Sequence, residues 1–454
     1  MLFPLININT DRSVSDKIRL CFWLYLLLLI LEGAMRKWFL PQLTNLFLVV
    51  REPIVLYVLF LSFKYNICRD KILKVLFVFS FVSFLLTLLF GHHNILVALY
   101  GVRISLLHLP SIFIFAKVIS REDIHLIGKA ILYISVLMFV IIIVQYFSPQ
   151  TSWINVGTGG QGTASFGAIK GYMRPSGTFS FTSGLVEFEL LVGLFLFYYL
   201  YNNNNINNKY KISKSKISLF IIVYFFSVVL CLSRTIIFEV LLMFMVMVAY
   251  MVISRERISK IIYISLIVIL SLYFLSYVET FNLAFKNVFI RFESASKFEG
   301  DVIEGSLGNR YLGSFYRAFF DTQNFSGKDI PFFGFGLGIT TRVGETILGI
   351  RDVGRSFVFA EEEWSRIICE IGLFQGIVFL LGLRLVYPIY LVVKAFKYIK
   401  KRKDVFLYLS ITPFLIYMIS GQWLVPTTLG FTVVICTLFM AALNQNCYLS
   451  KNQY

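Results

Sequence analysis

Several charged side chains lie inside stretches of sequence that are otherwise apolar. Arg51 and Glu52 are adjacent in the middle of LFLVVREPIVLYVLF. An ionisable side chain surrounded by lipid is costly unless it is paired or faces water, so such a residue is a functional candidate by default. Because adjacent residues on a helix point about 100° apart, we do not expect these two to satisfy only each other. At least one should face the interior of a helix bundle.

Two further pairs of opposite charge stand four residues apart, which places both members on one helix face. These are Glu32 with Arg36 and Arg366 with Glu370. Two interpretations stay open for each charge: an ion pair that holds helices together, or a group that binds a ligand. The same choice applies to the remaining ionisable residues at membrane depth, which are Arg103, His108, Glu187, Glu189, Arg234 and Glu239.

The arginines indicate the chemistry of a ligand. Arg36, Arg234 and Arg366 all fall near the same predicted surface of the membrane. A guanidinium keeps its charge and can hold two phosphate oxygens at once. The sequence therefore predicts a cationic chamber that binds an anion, such as a pyrophosphate held at the membrane by a lipid tail.

Other chemistries lack their signatures. The chain has no GxxxxGK[ST] phosphate loop, so an ATP-driven pump is not expected. The six cysteines form no CxxC pair, and the four histidines are scattered, so we expect no metal and no cofactor. The formal net charge of +17 would suggest nucleic acid in a soluble protein, but basic residues also collect in the cytoplasmic loops of membrane proteins. We expect membrane lipids as partners, and no nucleic acid.

The composition decides which elements must position these residues. Of the 454 residues, 58% are hydrophobic and only 15% are charged, against about 25% charged in soluble proteins. We predict an all-α polytopic membrane protein that forms a single integral membrane domain over 1–454, with about twelve transmembrane helices. The predicted spans are 18–34, 43–63, 72–90, 95–116, 124–147, 182–201, 217–233, 235–253, 261–280, 364–393, 405–421 and 427–443.

The lysines and arginines predict an orientation. They are concentrated in alternate short loops, and such loops stay in the cytoplasm. Both termini are therefore expected to be cytoplasmic. Two long segments then lie outside, a medium loop at 148–181 and a large loop at 281–363, and long loops often carry function.

A series of motifs resembles one family. EGAMRKWFLP followed by LVVREPIVLYVLF resembles the N-terminal region of bacterial O-antigen and exopolysaccharide polymerases of the O-antigen ligase superfamily. RPSGTFSFTSG resembles the first outer-loop motif of that family, and LCLSRT its arginine-bearing break between helices. PFFGFGLG and EEEWSRIICEIGLFQG resemble the glycine-rich stretch late in the large loop and the return to the membrane. The series runs in order from Glu32 to about Gly376.

The resemblance implies a metal-independent glycosyltransferase of the GT-C kind in the bacterial inner membrane. Such enzymes polymerise oligosaccharide repeat units that are linked to undecaprenyl pyrophosphate, at the periplasmic face. The expected partners are a lipid-linked glycan donor, a lipid-linked acceptor and a co-polymerase that sets chain length. The products of the family are O-antigen or related surface polysaccharides, and preorganised guanidinium groups would stabilise the departing pyrophosphate.

The resemblance also suggests site residues. The ligase branch carries a histidine before the last helices, and counting back from EIG that position falls on Glu361 here, which favours the polymerase branch. Glu361 or Glu363 is then the candidate for orienting or deprotonating the acceptor hydroxyl, while the alternative is an acidic cap on the next helix. Arg310 and Arg317 lie on one face of a predicted amphipathic helix, where the alternative is an anchor to lipid heads. The expected catalytic residues are Glu361, Glu363, Arg310 and Arg317, and the expected substrate-binding residues are Arg36, Arg51, Arg174, Arg234 and Arg366.

Two alternative functions remain at this stage. One is an O-antigen ligase that transfers glycan to lipid A-core. The other is a lipid-linked oligosaccharide flippase or exporter, which would need alternating halves but no 80-residue outer loop. The long loop and the lack of an internal repeat favour the polymerase.

Overall fold

The computed structural model describes residues 12–67, 70–160, 162, 171–254, 258–299, 320, 330–350 and 363–451. Three of the predicted site residues, Arg310, Arg317 and Glu361, lie outside these residues. Every regular element in the described part of the chain is a helix, which confirms the all-α class.

The α-helices of seven residues or more are numbered in chain order. They are α1 (Arg12–Ala34), α2 (Glu52–Lys64), α3 (Lys71–Phe90), α4 (Ile95–Arg103), α5 (Leu109–Val118), α6 (Arg121–Phe147), α7 (Thr182–Asn202), α8 (Lys214–Leu230), α9 (Arg234–Ile253), α10 (Ile258–Ser276), α11 (Glu279–Glu299), α12 (Arg342–Leu348), α13 (Glu363–Phe379), α14 (Tyr387–Arg402), α15 (Val405–Ile419) and α16 (Pro426–Lys451). Wider π-helical turns join α4 to α5 at Ile104–His108 and α13 to α14 at Leu380–Val386.

Nine helices among the described residues are long and apolar enough to cross a membrane. This agrees with a polytopic membrane protein, while the count of twelve spans stays a prediction. Two of the expected crossings correspond to shorter helices: α8 has 17 residues and α15 has 15. At about 1.5 Å per residue these helices fall short of a hydrocarbon core about 30 Å thick. In the predicted 261–280 region, the axes of Ser265–Leu275 and Glu279–Ile290 differ by 101°.

The bundle has two chemically different ends. At one end, which we call the basic end, Arg121 pairs with Asp404, and Lys129 donates a hydrogen bond to the carbonyl of Lys209. At the opposite end, which we call the loop end, segment 171–181 packs against the last turns of α1, and segment 330–341 packs against α3 and α4. Arg121 and Lys129 thus lie at the end away from these two segments.

Packing depth differs between the helices. α7 and α16 are enclosed along most of their length, and they form the centre of the bundle. α3 and α9 expose many apolar side chains, as expected of helices that face lipid. Charged groups on the central helices must therefore find partners inside the protein.

Helix α13 is broken rather than straight. Gly372 has φ 77° and ψ 171°, a conformation that essentially only glycine adopts. The break frees the carbonyls of Cys369 and Glu370, which accept hydrogen bonds from the N–H groups of Phe335 and Gly336 at 2.9 Å each. The predicted single span at 364–393 is therefore two segments, joined at a break into which the glycine-rich segment fits.

Candidate functional site at the loop end

The RPSGTF motif is held against the end of α1 by two basic side chains. Lys37, which is 1% exposed, donates to the Ser176 hydroxyl at 3.0 Å and to the Gly177 carbonyl at 2.7 Å. Arg36 donates to the hydroxyl of Ser180 at 2.9 Å. Two motifs that are about 140 residues apart in sequence therefore form one surface.

Gln145 fixes the same motif from α6. Its Oε1 accepts from the N–H groups of Ser176 at 3.1 Å and Gly177 at 2.8 Å. Its amide nitrogen donates to the carbonyls of Ile154 and Gly177, each at 3.2 Å. Gly177 has φ 58°, so the turn it makes requires a residue tolerant of left-handed backbone. Sequence reasoning missed Gln145, although a lone glutamine in an apolar helix was a signal.

A buried network of ion pairs lies beneath this surface. Glu32 pairs with Arg36 at 3.4 Å, as the spacing predicts, and with Arg51 at 3.2 Å. Arg51 also donates to the Pro426 carbonyl at 2.6 Å and lies 3.4 Å from the hydroxyl of Tyr25. Arg51 thereby joins α1 to the start of α16.

Glu52 has different partners from its neighbour Arg51. It forms an ion pair with Arg103, and one of its oxygens is 3.5 Å from Nε2 of His108. The expectation that Arg51 and Glu52 do not satisfy each other is confirmed. Together the two networks contain three guanidinium groups, Arg36, Arg51 and Arg103, against two carboxylates, and the buried Lys37 lies beside them.

A second cluster surrounds the broken helix α13. Arg366 donates to both oxygens of Glu363 at 2.6 and 2.9 Å, and to Glu370 at 2.7 Å. The fully buried Arg384 reaches Glu363 at 3.1 Å and lies over the ring of Trp423 at 3.7 Å. In a straight helix, residues 363 and 384 would be about 31 Å apart. The ion pair between them exists because the chain breaks at Gly372.

This second cluster binds the glycine-rich segment 330–341. Thr340 donates to the remaining oxygen of Glu370 at 2.6 Å. On the other side of the segment, the N–H of Leu337 donates to Thr87 at 3.0 Å, and its carbonyl is 2.9 Å from Nε2 of His92. His92 therefore has a structural contact with the glycine-rich segment.

Two more predicted arginines lie at the loop end. Arg174 is half-buried in the RPSGTF motif and lies within electrostatic range of Cys231, in the LCLSRT motif. Arg234 is half-buried at the first residue of α9. The structure therefore places the RPSGTF and LCLSRT motifs side by side.

The predicted site residues thus separate into groups. Arg36, Arg51, Arg174 and Arg234 lie at the loop end around α1, α7 and α9. Glu363 and Arg366 belong to a cluster with two carboxylates and two guanidinium groups, so their charges balance. Sequence reasoning missed Arg384, although a single arginine in VFLLGLRLVYPIY was visible. Within the described ranges, no group of three or more histidine, cysteine, aspartate or glutamate side chains could hold a metal ion.

No protein-family model, curated protein or solved structure matches the chain. The fold and the loop-end geometry therefore carry the functional argument, together with the motif resemblance. Among the described residues of the network below the RPSGTF motif, guanidinium groups exceed carboxylates, and Arg174 and Arg234 lie at the same end.

Proposed function

We propose that the protein is a membrane-embedded glycosyltransferase that polymerises oligosaccharide repeat units linked through pyrophosphate to undecaprenol. One observation carries the proposal. The EGAMRKW, LVVREP and RPSGTF motifs are joined by hydrogen bonds and ion pairs at one end of the helix bundle, and guanidinium groups outnumber carboxylates among the described residues of that network. A lipid-linked pyrophosphate combines an anion with an apolar tail, and a cationic surface at the end of a membrane bundle suits both.

In the proposed reaction, the cations stabilise negative charge on the leaving group. A hydroxyl of the acceptor sugar attacks the anomeric carbon of the donor glycan, and the bond from that carbon to the pyrophosphate oxygen breaks. The pyrophosphate leaves with the bonding electrons, so negative charge develops on it. Arg36, Arg174 and Arg234 are the described residues that we assign to this charge, because preorganised guanidinium groups stabilise a transition state more than the ground state. Arg310 and Arg317 complete the proposed set.

The proton of the acceptor hydroxyl needs a base, and the proposal keeps Glu361 for this role. Glu363 is a weaker choice because two arginines already neutralise its charge. We assign Glu363, Arg366 and Arg51 to positioning: the first two anchor the cluster that carries the glycine-rich segment, and Arg51 ties α1 to α16.

The proposal also places the protein in a particular membrane and gives it an orientation there. The basic end of the bundle faces the cytoplasm with both termini, and the loop end faces the periplasm of a bacterial inner membrane. Positive residues favour this orientation because they resist translocation. The twelve crossings, the GT-C class and a co-polymerase partner belong to the same proposal.

The test is a gel of surface polysaccharide from a strain that lacks the protein, complemented with variants. We expect the ladder to collapse to core plus a single repeat unit and to return with the wild-type gene. R174K and R234K should fail to restore it, because lysine cannot replace bidentate phosphate binding. R19K is the matched control, since Arg19 lies at the basic end beside Asp16, and it should restore the full ladder.

Two results would contradict the proposal, and a third would change one of its assignments. Full-length polymer that stays on its lipid carrier in the deletion strain would indicate a ligase. Repeat units that accumulate on the cytoplasmic face would indicate a flippase. Restoration by R174K at wild-type level would remove Arg174 from the proposed phosphate site.

A further inference from the structure

Three glutamates lie inside the bundle without a basic partner. Glu187 and Glu189 are on α7, and Glu239 is on α9, each within two or three turns of the loop end. Glu189 is 0% exposed, and neither of its carboxyl oxygens makes a hydrogen bond. One oxygen of Glu187 accepts from Thr428, while its other oxygen and Oε2 of Glu239 are buried without a partner. In the described chain, no lysine or arginine forms an ion pair with any of the three.

Two buried tyrosines on other helices lie near these carboxyls. Tyr224 on α8 lies within electrostatic range of Glu189 and Glu239, and Tyr417 on α15 lies within range of Glu187 and Glu239. Both rings are buried, and neither hydroxyl has a hydrogen-bond partner. The tyrosines are an independent indication of a site, because a buried hydroxyl without a partner is costly.

The backbone makes room for this arrangement. Gly193 lies one turn after Glu189, and a Cβ atom there would collide with the hydroxyl of Tyr224. Helix α8 can therefore bring its tyrosine hydroxyl up to α7, close to the Glu189 carboxyl, only because this position lacks a side chain.

The surroundings contain few other charges. Cys231, which directly follows α8, lies within electrostatic range of Glu189, and segment 171–181 contributes Arg174, which lies near Cys231. Helix α16 contributes Thr428 and, behind Tyr417, Cys436. Glu187 and Glu239 lie within electrostatic range of each other across the contact between α7 and α9. If both were ionised, they would repel one another, and no lysine or arginine among the described residues forms an ion pair with either.

We propose that Glu187, Glu189 and Glu239 form a proton-binding site in the membrane-embedded bundle, in which the carboxyls are held in their neutral form at neutral pH. A carboxylate in an apolar interior without a paired cation is so unfavourable that it takes up a proton instead. A neutral carboxyl can also donate a hydrogen bond to its neighbour, and its carbonyl oxygen can accept one from tyrosine. The ligand of this site is the proton, and the described residues offer no cluster fit for a metal ion.

The site has a consequence for the bundle. Glu187 and Glu239 lie within electrostatic range of each other on helices in direct contact, so loss of both protons would place like charges across that contact. Proton release should therefore loosen α7 from α9 near the loop end. The inference does not depend on the glycosyltransferase proposal, since it rests only on the contacts of these carboxyls.

The test is infrared spectroscopy of the full-length protein in lipid nanodiscs. Protonated carboxylic acids have a C=O stretch that is separate from the amide bands and moves on exchange into D2O. We expect such a band at pH 7, reduced in E189Q, E187Q and E239Q. E370Q is the matched control, because Glu370 is buried but paired with Arg366, and it should leave the band unchanged.

Glutamine has the shape of a protonated glutamate, so the three variants should fold, which gel filtration of the nanodisc sample checks. A second readout is labelling by dicyclohexylcarbodiimide, which reacts with protonated carboxyls in apolar surroundings, followed by peptide mass spectrometry. Labelling of Glu189 in the wild-type protein supports the proposal. A wild-type spectrum without the band at pH 7, or a band that persists in all three variants, would overturn it.

Discussion

The ion pairs of Glu363 give the sharpest prediction about the site. Glu363 accepts three hydrogen bonds, two from Arg366 and one from Arg384, at 2.6, 2.9 and 3.1 Å. With Glu370 the cluster has two carboxylates and two guanidinium groups, so it is neutral. The change E363Q keeps the shape of the side chain but leaves one positive charge uncompensated in a buried cluster.

The expected magnitude follows from burial. Removing one partner of a buried ion pair costs about 3–5 kcal/mol, because the other charge stays buried without compensation. Arg384 is fully buried, so the E363Q variant should lose stability near the lower part of this range, since glutamine can still accept a hydrogen bond. The double variant E363Q/R384M restores neutrality with one carboxylate and one guanidinium. We expect it to recover about 2–3 kcal/mol relative to the sum of the single changes.

The assay is reversible unfolding in mixed detergent micelles for the wild type, both single variants and the double variant. The polysaccharide ladder of complemented strains is measured in parallel. Because we assign Glu363 to positioning, the double variant should recover both stability and polymer length. Additive losses of stability would refute the ion pair, and a stable double variant that makes no polymer would show that Glu363 takes part in the chemistry.

Three further changes test separate parts of the structure. G372A should destabilise the protein by about 1–3 kcal/mol because of its backbone conformation, whereas G382A, where a Cβ atom would meet open space, should be neutral in the same unfolding assay. Q145A should speed amide hydrogen exchange at Gly177 at least tenfold, since the Gln145 carbonyl oxygen accepts from that N–H, and unchanged exchange would contradict the contact. Burial opposes the charge of the Asp404 carboxyl, but its interactions with Arg121, Asn446 and the Leu407 N–H outweigh burial and lower its pKa. The ionised carboxyl therefore stabilises the protein above about pH 4, and this stabilisation is lost as the pH falls further. D404N should remove that acid dependence from a stability profile measured between pH 3 and pH 7, and a profile that keeps it would refute the assignment.

Much of the fold could be predicted because a helix that crosses a lipid bilayer needs a long apolar stretch of sequence. Long apolar stretches separated by basic loops indicated a helical membrane protein, and nine of the described helices are suitable in length and composition. The boundaries of the Arg121–Phe147 and Lys71–Phe90 helices agree with the predicted spans within a few residues. What the pattern could not indicate is the break at Gly372, because apolar residues continue on both sides of it.

The candidate site was predicted less completely, for a physical reason. Spacing within one helix indicated the pairs Glu32–Arg36 and Arg366–Glu370, and both form. Contacts between helices, such as Arg51 with Glu32 or Arg384 with Glu363, depend on how the bundle packs, and a single sequence does not encode that packing in a local pattern. The prediction of a cationic chamber therefore did not include the acidic partners that several of its arginines already have.

The most direct test of the central claim is activity of the purified protein. The wild type and R174A would be reconstituted in nanodiscs with a lipid-pyrophosphate-linked repeat unit, without metal or nucleotide. We predict that the wild type produces glycans of two or more repeat units and releases one undecaprenyl pyrophosphate for each bond formed, and that R174A slows this at least tenfold. Intact substrate after prolonged incubation with folded wild-type protein would contradict the account.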